Sequence, residues 1–298
     1  GGVGIQAGSG GINLQALGTG SDLLLQADLR SGSGMSGGGL IVLVAGRDIV
    51  QSAGTAVLSN AGVTVIAGGN VSLARIWGAP HAQHLTDRTG SLLSGGTVSV
   101  TAVGSIARVG TLEAGMPALA AGALSLSAGG SVSAMTLAAT TLSAQAGSGG
   151  LDLADVDGWD AATPGLTVVA LQAPDSIALS AAGSLTVQSA TPGSGKDLSL
   201  QSLGGDLLLA ANALAANIDK LTVAAAGLVI SPRLFVGSSR TEYRSGSALR
   251  LGSAASQLPA GSAVIEPAGF ASPLSTQNLV LSCLLYTSPR PRDQRGSR

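Results

Sequence analysis

The sequence is poor in aromatic residues, charged residues and cysteine, and each shortage excludes a class of protein. Its 298 residues include only 2 Trp, 2 Tyr and 2 Phe, so large rings cannot fill an ordinary globular core. Charged residues make up 10% and the formal net charge is −1, which leaves no basic cluster to attract nucleic acid. We therefore predict no nucleic-acid partner. The single cysteine, Cys283, excludes a disulfide framework and a multi-cysteine metal site.

The chain is rich in glycine and in aliphatic residues. Hydrophobic residues make up 45% of it, which is enough apolar surface to form a core and argues against disorder. Two long stretches, 49–74 and 114–151, lack charge, but their apolar residues alternate with Gly, Ser and Thr at a strand period. We therefore predict no transmembrane segment. The start, Gly1-Gly2-Val3, contains no recognisable signal peptide, and we expect an internal fragment of a longer protein.

A short motif recurs at a nearly fixed spacing. In it, a small or polar residue precedes an alternating apolar pattern, as in Asn70-Val71-Ser72-Leu73 and Ser184-Leu185-Thr186-Val187. A unit of this length is too short for a helix with its turn, but it fits a short strand followed by a tight corner. The first apolar residues of successive units lie 8 apart in four pairs: Val63 and Val71, Val98 and Ile106, Leu124 and Val132, Ile177 and Leu185.

Short strands at this spacing predict an all-β fold, a parallel β-helix. Hairpin turns of the Asn-Gly or Asp-Gly type are nearly absent, Asp157-Gly158 being the exception, so corners that turn the chain in one direction are favoured. Three strands per coil give about 24 residues per turn, and the chain then makes roughly 11 coils about 4.8 Å apart. Inward positions carry Val, Leu, Ile and Ala, while Ser, Thr, Gln and Asn face water.

Several of these units resemble the repeats of filamentous haemagglutinin-like adhesins, which are exported by two-partner secretion. The resemblance covers roughly residues 1–230, and autotransporter passenger domains share the same pattern. It implies a secreted protein on the outer surface of a Gram-negative cell, exported through an outer-membrane transporter. The implied partners are host or neighbouring-cell surfaces, including their glycans, and the implied role is adhesion and virulence. The units are Ala67-Gly68-Gly69-Asn70-Val71-Ser72-Leu73, Ala128-Gly129-Gly130-Ser131-Val132 and Ala181-Ala182-Gly183-Ser184-Leu185-Thr186-Val187.

The pattern divides the chain into three parts. Residues 1–230 are predicted to form the β-helix shaft. Residues 231–281 contain more aromatic residues and arginines, including Phe235 and Tyr243, and are interpreted as a β continuation of altered composition. Residues 282–298 resemble the string produced when sequencing adapter is translated, and we expect them to be a non-native, disordered tail.

Two segments interrupt the repeat, and insertions in a solenoid become surface loops that can carry function. The first, Arg75 to Arg88, contains Trp77 and both histidines. His81 and His84 would chelate a metal together with Asp87, but their spacing on an irregular loop is not the helical arrangement of a zinc site. A solvated loop packed by Trp77 is the favoured interpretation.

The second segment, Asp152 to Asp160, concentrates acidic residues beside Trp159. Clustered carboxylates can bind calcium, which takes several oxygen ligands, and an exposed indole can stack on a sugar. The remaining EF-hand positions and the tandem glycine-rich nonapeptides of calcium β-rolls are missing, so we expect no cofactor and keep calcium as an alternative. The candidate metal ligands are Asp152, Asp155, Asp157 and Asp160, and the candidate ligand-binding residues are Trp77 and Trp159.

The favoured function is a structural and adhesive shaft, and we expect no enzymatic activity and assign no catalytic residue. The main alternative is a polysaccharide-active β-helix enzyme of the pectin lyase type, which needs carboxylates and basic side chains converging on one groove. Only the segment from Asp152 to Asp160 is dense enough in acids for that. A calcium-dependent extracellular matrix protein is a further alternative that depends on the same acids.

Overall fold

The protein is a parallel β-helix, as predicted. We analysed a computed structural model, which describes residues 3–32, 37–78, 96–112, 115–156, 165–214, 217–252, 264–265 and 278–283. These residues form 27 strands in one continuous sheet, and all strand pairs in it are parallel. The described ranges contain no helix.

The strands follow one another along the chain as short segments. The first third contains β1 (Val3–Ala7), β2 (Ile12–Ala16), β3 (Leu23–Leu25), β4 (Asp28–Ser31), β5 (Ile41–Ala45), β6 (Ile49–Gln51), β7 (Val57–Ser59), β8 (Gly62–Ala67) and β9 (Val71–Leu73). The middle contains β10 (Ile76–Gly78), β11 (Thr97–Ala102), β12 (Ile106–Arg108), β13 (Leu119–Ala128), β14 (Val132–Ala146), β15 (Leu151–Asp155), β16 (Leu166–Gln172), β17 (Ile177–Ala181) and β18 (Leu185–Val187). The last third contains β19 (Ala190–Thr191), β20 (Lys196–Ser202), β21 (Leu207–Leu209), β22 (Ile218–Ala225), β23 (Val229–Ser231), β24 (Gly237–Ser245), β25 (Leu249–Leu251), β26 (Val264–Ile265) and β27 (Leu279–Cys283).

All strands except β19, which pairs with the end of β16, are arranged in three stacks that form the sides of the coil. Stack A contains β2, β5, β8, β11, the second part of β13, the last part of β14, β16, β18, β21, β23, β25 and β26. Stack B contains β3, β6, β9, β12, the first part of β14, β15, β17, β20, β22, β24 and β27. Stack C contains β1, β4, β7, β10, the first part of β13 and the middle of β14, and it ends at β15. Stack B therefore has eleven levels, in agreement with the predicted number of coils.

The cross-section of the coil changes around β14 to β16. Below this level a stack A strand such as β11 has 6 residues and a stack B strand such as β9 has 3. Above it the lengths are reversed, because β18 has 3 residues and β17 has 5. The change is accommodated by register shifts in β14, one of them next to Ala134, whose φ of 51° is unusual for a residue with a Cβ.

The core is a set of aliphatic ladders inside the coil. In stack A the inward residues Ile41, Val63, Val98, Leu124 and Leu142 lie directly above one another, and each is buried. Full burial of such a side chain contributes about 1.5–3 kcal/mol, so small aliphatic residues supply the stability that aromatic residues would supply in a globular core.

The small or polar residue that begins each predicted unit has a defined role at the corner before stack B. The Asp22 carboxylate accepts a hydrogen bond from the backbone N–H of Asp48 at 3.1 Å, and the Asp48 carboxylate accepts one from the N–H of Asn70 at 2.6 Å. Asn70 Oδ1 accepts a hydrogen bond from the backbone N–H of Ser105 at 2.9 Å, and Ser105 Oγ accepts one from the backbone N–H of Ser131 at 3.1 Å. Each side chain thus satisfies a backbone donor of the next coil, which would otherwise lie unpaired at the corner.

Glycines occupy the corner between stacks A and B, where consecutive coils are in close contact. A Cβ atom on Gly68 would lie 2.3 Å from the carbonyl oxygen of Gly46, and one on Gly129 would lie 2.0 Å from that of Val103. These glycines are required because backbone atoms of the coil below occupy the space of a side chain.

The altered segment continues the same coil. Strands β24 and β25 extend stacks B and A, and the buried Tyr243 hydroxyl donates a hydrogen bond to the Phe235 carbonyl at 3.1 Å. Burial raises the pKa of Tyr243 well above its ordinary value. Strand β27 runs to Cys283 and so includes the first two residues of the predicted tail, while residues 284–298 lie outside the described ranges. The division into three parts stays a prediction.

Replacement of Gly129 by alanine tests the close contact between coils. Because the new methyl group would overlap the Val103 carbonyl, we expect Gly129→Ala to lower the free energy of unfolding by about 1–3 kcal/mol. Urea denaturation followed by circular dichroism measures the change. Gly8→Ala is the matched control, since a Cβ at Gly8 meets no atom within 4 Å. Equal stability of the two variants would contradict the inferred contact.

Acidification tests the ion pair at the bottom of the corner ladder. The Arg47 side chain hydrogen bonds Asp22 through Nε at 2.7 Å and, together with the N–H of Asp48, lowers the pKa of Asp22 to about 2. Since the folded-state pKa lies below the unfolded value of about 3.9, the stabilisation is present above pH 4 and is lost as the pH falls towards 2. Arg47→Gln should therefore be less stable than the wild type at pH 7 and no less stable at pH 2.

The unfolding midpoint in urea, measured from pH 7 to pH 2, gives the comparison. Arg108→Gln is the control, because Arg108 forms no ion pair within the part of the chain that the structure describes. A difference between Arg47→Gln and the wild type that persists unchanged at pH 2 would contradict this assignment.

Candidate functional site

The interruptions of the repeat leave the rod at one corner, the turn from stack C to stack A. This turn can be very short, because only Asn60 and Ala61 separate β7 from β8. At the same corner, 18 residues separate β10 from β11, and 10 residues separate β15 from β16. The longer connections are therefore additions that the coil itself does not need.

The two additions leave the corner close to each other. Strand β10 is followed in stack C by β13, β14 and β15, so the starting points of the additions, Gly78 and Asp155, are three coils apart. With about 4.8 Å per coil, this is about 14 Å along the rod. His81, His84, Asp87, Asp157, Trp159 and Asp160 belong to these additions and lie outside the described residues. The metal and sugar contacts suggested for them stay predictions.

Trp77 does not lie in the loop in which the sequence pattern placed it. It belongs to β10, which pairs with β7 below and β13 above, and its side chain is 1% exposed. The indole Nε1–H donates a hydrogen bond to the Pro117 carbonyl at 3.1 Å, and the Arg75 guanidinium lies 5.6 Å from the ring centroid. In this arrangement the ring is not exposed to solvent, so no sugar can approach its face.

Trp77 is the centre of a second, smaller hydrophobic cluster on the outer side of stack C. The chain between β12 and β13 covers this side: the N–H of Val109 bonds to the Leu73 carbonyl at 2.7 Å, and Met116 packs into the cluster. This covering segment connects the coils on either side of the longest addition. The point at which that addition leaves the rod is therefore fixed in position. The cluster consists of Ala56, Leu58, Trp77, Met116, Ala120 and Ala138.

The two described acids of the predicted calcium cluster point in opposite directions. Along β15 the inward positions are Leu151, Leu153 and Asp155, and Asp155 is only 2% exposed. Asp152 points outward and is exposed. A single ion cannot be shared by two side chains on opposite faces of one strand. The described residues contain no group of three or more His, Cys, Asp or Glu side chains placed to hold a metal ion.

Asp152 instead lines a shallow groove of about 360 Å³ on the outer side of stack B, together with Asp175 from the next coil. Asp175 pairs with Lys196 at 3.2 Å, and the hydrogen bonds from Lys196 and from the Ser176 backbone lower the pKa of Asp175. The Asp175 charge is therefore already balanced. Sequence reasoning missed Asp175, because the residue that lies beside Asp152 depends on the length of one particular coil.

Comparison of the chain with protein-family models, with curated proteins and with solved structures finds no match. Within the described residues, no helix has the length and apolar character needed to cross a membrane.

Substitution of Trp77 tests the cluster under the cover. We expect Trp77→Ala to lower the free energy of unfolding by about 3–5 kcal/mol, because a large buried ring is removed. Trp77→Phe keeps a ring but removes the donor to the Pro117 carbonyl, so it should lower the free energy of unfolding by about 1–2 kcal/mol more than a conservative surface change. Urea denaturation measures both. Leu24→Ala is the control, since Leu24 is also an outward residue but is 60% exposed. A Trp77→Ala variant as stable as Leu24→Ala would show that the ring is not covered in solution.

Proposed function

We propose that this chain is part of the shaft of a large secreted bacterial surface adhesin, and that its β-helix presents short additions along one corner. The observation that carries this proposal is that the additions after Gly78 and Asp155 leave the rod at the same corner. A stack of coils keeps its own register, so a connection at a corner can change in length and composition without disturbing the core. Variable segments at a constant corner are what a display function requires.

The organisation of the rod supports the same proposal. One apolar core runs through the coils from Ile12 to Leu251, so the described coils form one stiff unit. The cover over Trp77 strengthens this unit where the longest addition begins. Such a shaft would act at the outer surface of a Gram-negative cell, after passage through an outer-membrane transporter. Its partners would be the surfaces of host or neighbouring cells, including their glycans.

The geometry gives less support to a polysaccharide-cleaving enzyme. Such an enzyme needs carboxylates and basic side chains that converge on the same sugar. Asp152 and Asp155 diverge, and in the groove beside Asp152 the neighbouring Lys196 is engaged with Asp175. A calcium-dependent matrix protein depends on the same acids and gains no further support from their positions.

Exchange of the additions for a short corner tests the display function. We expect replacement of residues 79–96 by the pair Asn-Ala, copied from the natural corner at Asn60 and Ala61, to preserve the fold, because the strands on both sides keep their partners. The melting temperature should change by no more than a few degrees, since surface changes are worth about 0.5 kcal/mol. Binding of the fluorescently labelled chain to cultured epithelial cells and to bacterial cells should be lost or reduced at least tenfold.

A second exchange, residues 156–165 replaced in the same way, shows whether one or both additions bind. The control is Gly20→Ser, a substitution at the corner between β2 and β3, where a Cβ would meet no atom within 4 Å. Unchanged cell binding by both exchanged variants would contradict display by the additions, and a wild-type chain that binds neither cell type would contradict the adhesive role as a whole.

A further inference from the structure

The outer face of stack B contains one straight column of side chains that joins two charged places of opposite sign. The column consists of five outward residues on consecutive coils: Asp152, Ala178, Ser199, Thr222 and Glu242. Asp152 and Glu242 are four coils apart, which is about 19 Å at about 4.8 Å per coil. The residues between them are small and uncharged, so another flat surface can approach the column closely.

The upper end of the column has an excess of positive charge. The Arg240 guanidinium donates a hydrogen bond to the Glu242 carboxylate at 3.1 Å, and the Arg244 guanidinium donates another to the same carboxylate. The Glu242 side chain is only 8% exposed, whereas those of Arg240 and Arg244 are 51% and 60% exposed. An approaching partner therefore meets two guanidinium groups that are already held in position and that share one negative charge.

The lower end of the column is negative. Asp152 is exposed and forms no ion pair with another residue in the described part of the chain. It lines the groove of about 360 Å³ described above, whose other acid, Asp175, is paired with Lys196 at 3.2 Å. Asp152 is thus the acid of the groove whose charge is not balanced within the coil, and the groove has room for a guanidinium group from outside.

The charge of the whole chain is distributed along the rod with the same polarity. Residues 1–216 include 6 basic and 12 acidic residues, whereas residues 217–252 include 5 basic and 2 acidic residues. Two copies side by side in the same direction would bring like charges together, which costs free energy. Two copies in opposite directions place the positive part of each beside the negative part of the other.

A two-fold axis that crosses the column at Ser199 brings its two ends together. When a second copy faces the first with its rod axis reversed, Asp152 of each copy lies opposite Glu242 of the other. The Asp152 carboxylate then lies between the guanidinium groups of Arg240 and Arg244. Two carboxylates and two guanidinium groups balance one another at each end of the contact, and the small residues of the column meet at its centre.

We propose that two copies of this chain pair in opposite directions through the outer face of stack B, with Asp152 of each copy bound by Arg240 and Arg244 of the other. This goes beyond display by the additions, because the contact belongs to the shaft and lies on a different side from the corner at which the additions leave. A contact over a few coils is smaller than the roughly 800 Å² per partner of a standard stable interface. The dimer should therefore be weak and should dissociate at high salt.

The test is sedimentation velocity of the full chain over a range of concentrations, at low and at high sodium chloride. We expect a monomer–dimer equilibrium at low salt and at least tenfold weaker dimerisation at high salt. Asp152→Arg and Arg244→Glu should each weaken dimerisation at least tenfold at low salt, because each places like charges opposite one another. Arg47→Glu is the matched control and should leave dimerisation unchanged. Arg47 is 55% exposed, against 60% for Arg244, but it lies four coils below Asp152 and outside the pairing region.

A mixture of the two variants gives a sharper result. In a mixed pair, the arginine introduced at position 152 faces Glu242 and the glutamate introduced at position 244, while the second contact stays as in the wild type. Equimolar Asp152→Arg and Arg244→Glu should therefore form a heterodimer, which also shows that both variants are folded. A monomeric wild type at low salt, an equal effect of Arg47→Glu, or no heterodimer in the mixture would each overturn the proposal. The exchanged variant lacking residues 79–96 should dimerise like the wild type, which separates this contact from the display function.

Discussion

Exact alignment of each coil with the next is the constraint on which the whole molecule depends. An inward residue such as Val63 is buried only because Ile41 lies below it and Val98 above it. A slip of one residue would turn every inward side chain of a strand outward. The corner ladder opposes such a slip, because the Asp48 carboxylate can meet the N–H of Asn70 in only one register. The glycines at the same corner act in the same sense, since coils in contact at Gly68 leave no room for another residue.

This constraint applies to the strands and leaves the connections free. Val63 and Val98 are partners although 35 residues separate them, whereas 22 separate Ile41 from Val63. The extra residues lie at the corner between stacks C and A, where the chain leaves and returns without altering either strand. A second hydrophobic cluster then forms outside the coil next to the longest connection, around Trp77. The core thus supplies the stability, and the connections at this corner differ in length from coil to coil.

Much of this architecture could be predicted from the sequence, because a period of about eight residues with alternating apolar positions is a local signal. The inward orientation of Asp155 could also be predicted, since Leu151 and Leu153 point inward and Asp155 is the next alternate position. The position of Trp77 was not. Arg75 and the proline that follows at position 80 suggest a loop, whereas pairing with β7 and β13 makes the segment a strand. The approach of Asp175 to Asp152 likewise depends on the length of one coil, which no local pattern records.

A rod with one core can change its binding properties only on its outward columns, and these columns differ in chemistry. Along one outward column of stack A the residues pass from Val42 through Thr64 to Ser99, Ser125 and Ser143, while every inward neighbour stays aliphatic. The inward ladder is restricted by packing, and the outward one is not, so its uncharged character over ten levels is not a requirement of folding. Folding would equally accept the aspartates and lysines that occur on stack B. The outward columns of the stacks can therefore differ in charge while the core stays the same.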